Sequence, residues 1–366
     1  MDAFDFYKEW AQSWRNPQQK LFPDQDGTFN DLRGRFGKTH IWEFFKRRLS
    51  VRNKIFIKTI SGHKTIFCYP VARGEKDFAM DYVVYICNKH PVINEALFPG
   101  KSMQEIKSFL TKQFYCAHFD SLPWNVIFPG EDYHKFLVAN KKNSGFIKKR
   151  KGFYEYNGFK TKMYGFEYGV LGNNCGLGEI PQSVLSRIEG SIVVDCGAFT
   201  GDSAFCMLPF KPKKIVALEP EEKNFLFLKE GIQLNRMDSV VPLMMGAGSE
   251  AANVKFSNGG AGGRIVEEGS SEAKIDRIDT IVKTIFEGGR VGLIKMDIEG
   301  YERNALGGAE EIMKKDKPIL VIALYHSGKD FFEIPPYIKS VNPDYEFVIT
   351  HTNPLAPTHE EYLIAY

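Results

Sequence analysis

Val193-Val194-Asp195-Cys196-Gly197-Ala198-Phe199-Thr200-Gly201-Asp202 is the stretch on which the fold turns. The apolar run at 191–196 empties into a D-x-G-x-x-x-G-D pattern of the kind found at a strand-to-helix turn. In an open α/β sheet, ligands bind beyond the carboxyl ends of the strands, where such turns lie. Gly197 and Gly201 are placed where a backbone without a Cβ can approach a ligand. Asp195 offers a carboxylate to a ligand ammonium, and Thr200 or Asp202 can cap the following helix.

Working outward, Ile- and Val-rich runs recur after Pro181, at 191–196, 214–220, 240–245, 291–297 and 318–324. Helical patterns lie between several of them, from Glu221 to Leu234 and from Glu302 to Lys315. Near-continuous apolar runs are those of parallel strands buried on both faces, and their alternation with helices implies a doubly wound sheet. Two later runs, 345–351 and 361–366, fit an antiparallel finish. Residues 253–290 form a long insertion with short strand-like pieces around a Gly-rich loop, Gly259 to Gly263. With Arg264 this loop reads either as a mobile lid or as a plain hairpin turn.

The turn separates cofactor classes. Dinucleotide sites use G-x-G-x-x-G and seat a pyrophosphate on a helix N-terminus. Here there is one glycine fewer, and two acids stand close by. They would repel pyrophosphate but suit a ligand bearing an amine and a sulfonium. Glu219 ends the next strand, 24 residues after Asp195, where a carboxylate accepts both ribose hydroxyls of a nucleoside.

In these residues the chain resembles the FkbM family of methyltransferases. The likeness rests on Val194 to Ser203, Leu218-Glu219-Pro220 with Asn224-Phe225, Arg277-Ile278-Asp279, Ile294-Lys295-Met296-Asp297-Ile298-Glu299-Gly300-Tyr301-Glu302, Leu306-Gly307-Gly308-Ala309 and Tyr325-His326. It covers about residues 165–366, and Ile294 to Glu302 is its most specific part. The resemblance implies an α/β fold, with a Rossmann-like seven-stranded methyltransferase sheet whose last strand is reversed. It also implies an S-adenosyl-L-methionine (SAM)-dependent O-methyltransferase acting on a hydroxyl, of a sugar or surface-polysaccharide precursor. Asp195, Gly197, Ala198, Phe199, Thr200, Gly201, Asp202, Glu219, Pro220, Asn224 and Gly246 are the cofactor-binding candidates. Cys196 inside the first motif is a small departure from the family pattern.

Asp297 ends the fourth strand, beside the methyl group of a bound SAM, and Glu299 and Glu302 follow within one turn. Methyl transfer to oxygen is an in-line displacement, so the acceptor must be aligned and its proton taken. Asp297 is the first candidate for orienting residue or base, with Glu299 beside it. His326 follows the fifth strand and suits a base that titrates near neutral pH; His351 also follows a strand, on weaker grounds. Asp297, Glu299 and His326 together have the chemistry of a divalent-metal site for a diol. Their spacing is looser than H-x-x-x-H, and no metal is assigned. Lys295 and Tyr301 read as structural, one inside a strand and the other packing on the next helix.

Residues 1–160 read as an accessory α+β region and 161–366 as the methyltransferase domain. Helical patterns run from Tyr7 to Arg15, Thr39 to Arg48 and Lys101 to Tyr115, with strands at 54–60 and 65–72. A polar, basic stretch from Lys141 to Gly152 has the composition of an exposed connector. The net charge of +3 hides an imbalance: residues 1–180 carry 28 Lys and Arg against 18 Asp and Glu, and residues 181–366 carry 20 against 27. The basic half leaves three alternatives standing beside a glycan or small-molecule methyltransferase. They are a catalytically silent scaffold, a peripheral binder of anionic surfaces, and a nucleic-acid methyltransferase. Base amino-methylating enzymes carry an Asn/Asp-Pro-Pro-aromatic stretch where this chain has Asp297-Ile298-Glu299-Gly300, which makes nucleic acid the less favoured partner. A nicotinamide oxidoreductase is disfavoured by the missing G-x-G-x-x-G. No Cys-x-x-Cys or zinc pattern links the six cysteines, which read as free thiols of a reducing compartment. The N-terminal MDAFDFYKEW lacks the basic and apolar regions of a leader, and no run approaches the ~18–20 apolar residues of a membrane span. The expected location is cytoplasmic.

Overall fold

The protein is described by a computed structural model over residues 1–15, 56–60, 64–119, 121–129, 132–163, 167–257, 263, 265–266, 269, 271–286 and 289–366. The expected helix at Thr39 to Arg48 and Arg264 with most of the Gly259 to Gly263 loop lie outside these residues. The chain divides into two compact units, one of residues 1–93 and 107–131, the other of residues 94–106 and 132–366.

In the first unit, helix α1 (Ala3–Arg15) contains the expected Tyr7 to Arg15 segment. Strands β1 (Phe56–Ile60), β2 (Lys64–Pro70) and β3 (Ser121–Pro123) form an antiparallel sheet in that order. Helix α2 (Arg73–Lys89) follows β2, and α3 (Lys101–His118) lends this unit its later turns. Tyr7 and Trp10 of α1 pack edge-on and tilted against Phe114 of α3 at centroid separations of 5.1 and 5.5 Å. Such aromatic pairs account for part of the high aromatic content.

The second unit begins its continuous part with α4 (Asp132–Phe146) and three antiparallel strands, β4 (Ile147–Arg150), β5 (Phe153–Tyr156) and β6 (Phe159–Thr161). The stretch read as a connector is therefore regular structure: its lysines continue a helix and then one arm of a hairpin. Gly152, at φ +87°, makes the turn. Register sets Lys148 opposite Glu155, and Lys148 and Arg150 both pair with that carboxylate, at 3.7 and 3.5 Å. Two cations of the basic run are thus already partnered.

The main sheet holds β7 (Ile192–Cys196), β8 (Lys214–Leu218), β9 (Val240–Leu243), β14 (Val291–Met296), β15 (Ile319–Ala323), β16 (Phe347–His351) and β17 (Glu361–Ala365). Their order is β16-β17-β15-β14-β7-β8-β9, and β17 alone runs antiparallel to both neighbours. This is the expected seven-stranded sheet with its reversed last strand. Every residue of β7, β14 and β15 is buried, because helices cover both faces. Helix α5 (Asp202–Met207) follows β7 and α6 (Glu222–Asn235) follows β8. The insertion folds as a second sheet, with β10 (Gly246–Ala247), β11 (Ala252–Phe256), β12 (Ile265–Val266) and β13 (Ser271–Asp276) in the order β10-β13-β11-β12. Helix α7 (Ile278–Phe286) closes it.

The single helix expected from Glu302 to Lys315 is two, α8 (Glu302–Gly307) and α9 (Glu310–Lys315). A Cβ on Gly308 would strike the carbonyl oxygen of Gly248, so the chain is held close there and the helix breaks. Asp279 accepts the backbone N–H groups of Glu311 and Ile312 at 3.2 and 3.0 Å, supplying the first turn of α9 with acceptors. Arg277 in turn holds Asp279 at 2.9 Å. Helix α10 (Gly328–Val341) then leads to β16, its first turn capped by Ser327, which accepts the Asp330 N–H. No helix among the described residues is long and apolar enough to cross a membrane.

Candidate active site

Strand order reverses between β7 and β14, and their carboxyl ends diverge there into a crevice. The first turn is built around its glycines. Gly197 and Gly201 have φ of +77° and +87°. The missing Cβ of Gly197 would collide with the carbonyl oxygen of Asp297, and that of Gly201 would crowd Leu228 and Met237 at 3.1 and 3.2 Å. Both glycines therefore serve the approach of protein to protein. Gly201 is also the residue before α5, so neither Thr200 nor Asp202 holds the N-cap position.

Two cavities meet at this turn. The first is open to solvent, spans roughly 650 Å³ with that open space included, and has a polar side formed by Glu219, Asn224 and Asp297. Its other walls are Pro220, Gly246 and the second sheet, including Val254, Phe256 and Ile275. Glu219 is fixed by the N–H groups of Phe199 and Glu221, each at 3.0 Å, with the Asn224 amide 3.5 Å away. Burial pushes its carboxyl up to about 7, against these hydrogen bonds. The second cavity, roughly 800 Å³, is bounded by Glu167, Asp202, Lys295 and Tyr325 together with Met163 and Val170. Gly197, Phe199, Asp297 and Glu299 belong to both.

Of the cofactor candidates, Gly197, Phe199, Glu219, Pro220, Asn224 and Gly246 line the first cavity and Asp202 the second. Asp195, Ala198, Thr200 and Gly201 are buried behind them, outside both linings. Asp195 is thereby corrected from a ligand-facing group to an internal one. Its carboxylate accepts the Ser203 hydroxyl at 2.6 Å and pairs with Lys295 at 3.4 Å. The register of β7 on β14 sets Asp195 directly beside Lys295, which explains the pair. Lys295 also donates to the Gly197 carbonyl at 3.0 Å. Burial opposes its charge, but Asp195, Asp297 and Asp202 outweigh it and raise the ammonium above the ordinary lysine range. Lys295 thus lines the second cavity and Tyr301 the first.

Asp297, Glu299 and His326 do come together. Asp297 accepts the hydroxyls of Tyr362 at 2.5 Å and Tyr325 at 3.3 Å. Burial alone would raise its carboxyl; Lys295, His326 and the two tyrosines hold it below the ordinary range. His326 lies behind the linings with its ring 1% exposed. Its Nδ1–H donates to Glu302 at 2.9 Å, and Nε2 stands 3.5 Å from Asp297 and 3.7 Å from Glu299. Burial works against a charged ring, yet Glu302, Asp297 and Glu299 raise it to about 10. The three carboxylates around the ring thus favour its charged form. Glu302 is wholly buried and accepts the N–H groups of Ile298 and Gly300 at 2.8 and 3.0 Å. His351 is elsewhere, its Nε2 donating to the carbonyl of Ala356 at 3.0 Å.

Sequence reasoning missed Tyr362 and Glu167, named Tyr325 only within the family likeness and read Lys295 as structural. The available signal for Lys295 was its place inside the apolar run 291–297. Tyr362 is 65 residues from Asp297 and reaches it only through the pairing of β17 with β15, which no local pattern announces.

Residues 195–350 match the family model described as the methyltransferase FkbM domain. No curated protein matches the chain. Among solved structures, the chain is 21% identical to a methyltransferase FkbM from Methylobacillus flagellatus, over 70% of this chain and 66% of that one, with a TM-score of 0.42. The chain therefore spans just under two thirds of that structure's length. An rRNA methylase from Streptococcus thermophilus is 13% identical over 50% of this chain and 90% of its own, with a TM-score of 0.33. Aeropyrum pernix fibrillarin with bound S-adenosyl-L-methionine is 14% identical over 49% and 67%, with a TM-score of 0.31. Residues 195–350, which include the seven-stranded sheet from the end of β7 to most of β16, are thus the part of the chain that is similar to the methyltransferase FkbM domain.

Proposed function

We propose that this protein uses S-adenosyl-L-methionine to methylate a hydroxyl of a sugar or surface-polysaccharide precursor. The observation that carries the proposal is the position of Asp297, in the wall shared by the cavity that Glu219 anchors and the one that Glu167, Asp202 and Lys295 line. The residues fit the cofactor chemically. Glu219 accepts hydrogen bonds from a ribose diol, and Val254, Phe256 and Ile275 give an adenine an apolar wall. The carboxylates of Asp297, Glu299 and Asp202 suit a cationic ligand near the shared wall. When bound, the cofactor supplies an electrophilic methyl group on a sulfonium.

Asp297 accepts the hydrogen bond of an acceptor hydroxyl and aligns its oxygen. Held ionised by Lys295, it orients better than it removes a proton, since its basicity is lowered. Phe199 and Gly197 line both cavities beside Asp297, where the acceptor would meet the cofactor. Transfer of a labelled methyl group from SAM to a panel of sugar-containing acceptors tests the proposal. Label in a base-stable ether supports hydroxyl methylation, whereas label only in nucleic acid would replace the acceptor class.

A further inference from the structure

We propose that Asp297, Glu299 and His326 bind a single divalent cation, of the class represented by Mn²⁺, at the border of the two cavities. The buried Nε2 of His326 has no hydrogen-bond partner among the described residues. It faces Oδ1 of Asp297 at 3.5 Å and Oε2 of Glu299 at 3.7 Å. These separations exceed the ~2.7–3.2 Å of an N–H···O bond. They fall between the roughly 3 Å and 4.2 Å that separate neighbouring and opposite donors around one ion with metal–ligand bonds near 2.1 Å.

The opposite side of the ring is already committed. Nδ1–H donates to Glu302, whose own carboxylate is pinned by the backbone N–H groups of Ile298 and Gly300. A buried carboxylate that fixes the tautomer of a histidine and turns its other nitrogen outward is the usual support behind a metal-ligating imidazole. Glu302 has its acceptor capacity taken up, so it is the positioning residue and Glu299 the ligand. The backbone serves the same end: Glu299 at φ +58° and Gly300 at φ +96° turn the chain back sharply, bringing Glu299 to the ring beside Asp297.

Two carboxylates and one imidazole carry the charge that neutralises a divalent ion, and a mixed oxygen and nitrogen set without thiolate suits Mn²⁺ or its neighbours. A cation there takes the place of the Nε2 proton. Asp297 and Glu299 line both cavities, so its remaining positions open toward oxygen donors, either water or two adjacent hydroxyls of an acceptor. The acceptor role rests on the proposed function; the ion site does not.

The test uses the chelator-treated full chain without SAM or acceptor, titrated with MnCl₂ by calorimetry and electron paramagnetic resonance. The expected result is one Mn²⁺ per chain, with an electron spin echo modulation from one imidazole nitrogen. His326→Gln is expected to abolish that modulation, and Glu299→Gln to weaken binding at least tenfold while thermal unfolding stays that of the parent. Glu302→Gln is expected to retain the stoichiometry but to weaken binding by about 10–100-fold. Absence of stoichiometric binding, or equal binding in the parent, Glu299→Gln and His326→Gln, would overturn the proposal. Absent Mn²⁺ binding with intact methyl transfer would sink the ion site and leave the proposed function. Mn²⁺ binding with methyl transfer that persists in chelator would remove only the acceptor role.

Discussion

The two cavities share Gly197, Phe199, Asp297 and Glu299, yet they recognise by different means. The first is shaped by the apolar strands of the inserted sheet and has Glu219 as its deep anchor. The second has Met163, Val170 and Phe199 among its walls but gathers Lys295, Asp202 and Glu167 around the same Asp297. Shape with one polar anchor suits a ligand of fixed form, whereas a dense charge cluster is sensitive to any change in its own balance. The comparison teaches that damage should be local in the first cavity and should spread in the second.

The largest effect is expected from Lys295→Met. It leaves Asp195 buried without its cation, and losing one partner of a buried pair costs about 3–5 kcal/mol. Denaturant unfolding measures this; a loss below about 1 kcal/mol would show that the second cavity is not organised by charge. Next is Asp297→Asn, which keeps the shape but removes the ionised acceptor. Its turnover is expected to fall about 10²-fold, the cost of a misplaced acceptor, and by more than SAM affinity falls. Single-turnover kinetics beside calorimetry separates the two quantities, and a parallel loss of both would erase the division of labour between the cavities.

Glu219→Ala is expected to weaken SAM by roughly tenfold to a hundredfold, the worth of charge-assisted hydrogen bonds. Unchanged affinity would mean that shape alone holds the ligand. The smallest effect is on pH. Burial raises the Glu219 carboxyl to about 7, and under the proposed function only its ionised form would accept both ribose hydroxyls. SAM affinity should therefore rise about tenfold from pH 6 to pH 8, following the competent fraction. The sign for stability is opposite. A carboxyl raised on folding favours the folded protein below its ordinary range, and that contribution is lost as pH rises through about 7. A flat affinity profile that Glu219→Gln does not alter would place the ligand elsewhere.

Much of the sheet was legible because its signals are local. Parallel strands buried on both faces must be apolar throughout, so β7, β14 and β15 stood out as runs of Ile, Val and Leu. The turn after β7 and Glu219 after β8 could be placed because ligands lie at strand ends in such a sheet. Helix α7, the break between α8 and α9, and the regular structure at 141–152 were not legible in this way. The break depends on Gly308 meeting Gly248, and the hairpin on Lys148 and Arg150 meeting Glu155.

The site divides along the same line. By itself the sequence determined the α/β class, the FkbM likeness, and the placing of Glu219, Asp297, Glu299 and His326 at strand ends, since periodicity and strand position are properties of short segments. Only the tertiary structure decided which way those groups face. It turned Asp195 inward onto Lys295 through the register of β7 on β14, and it brought Tyr362 to Asp297 through the reversed β17. It also surrounded His326 with Glu302, Asp297 and Glu299. A side chain's charge state and direction are set by neighbours from distant parts of the chain, and those neighbours are chosen by packing.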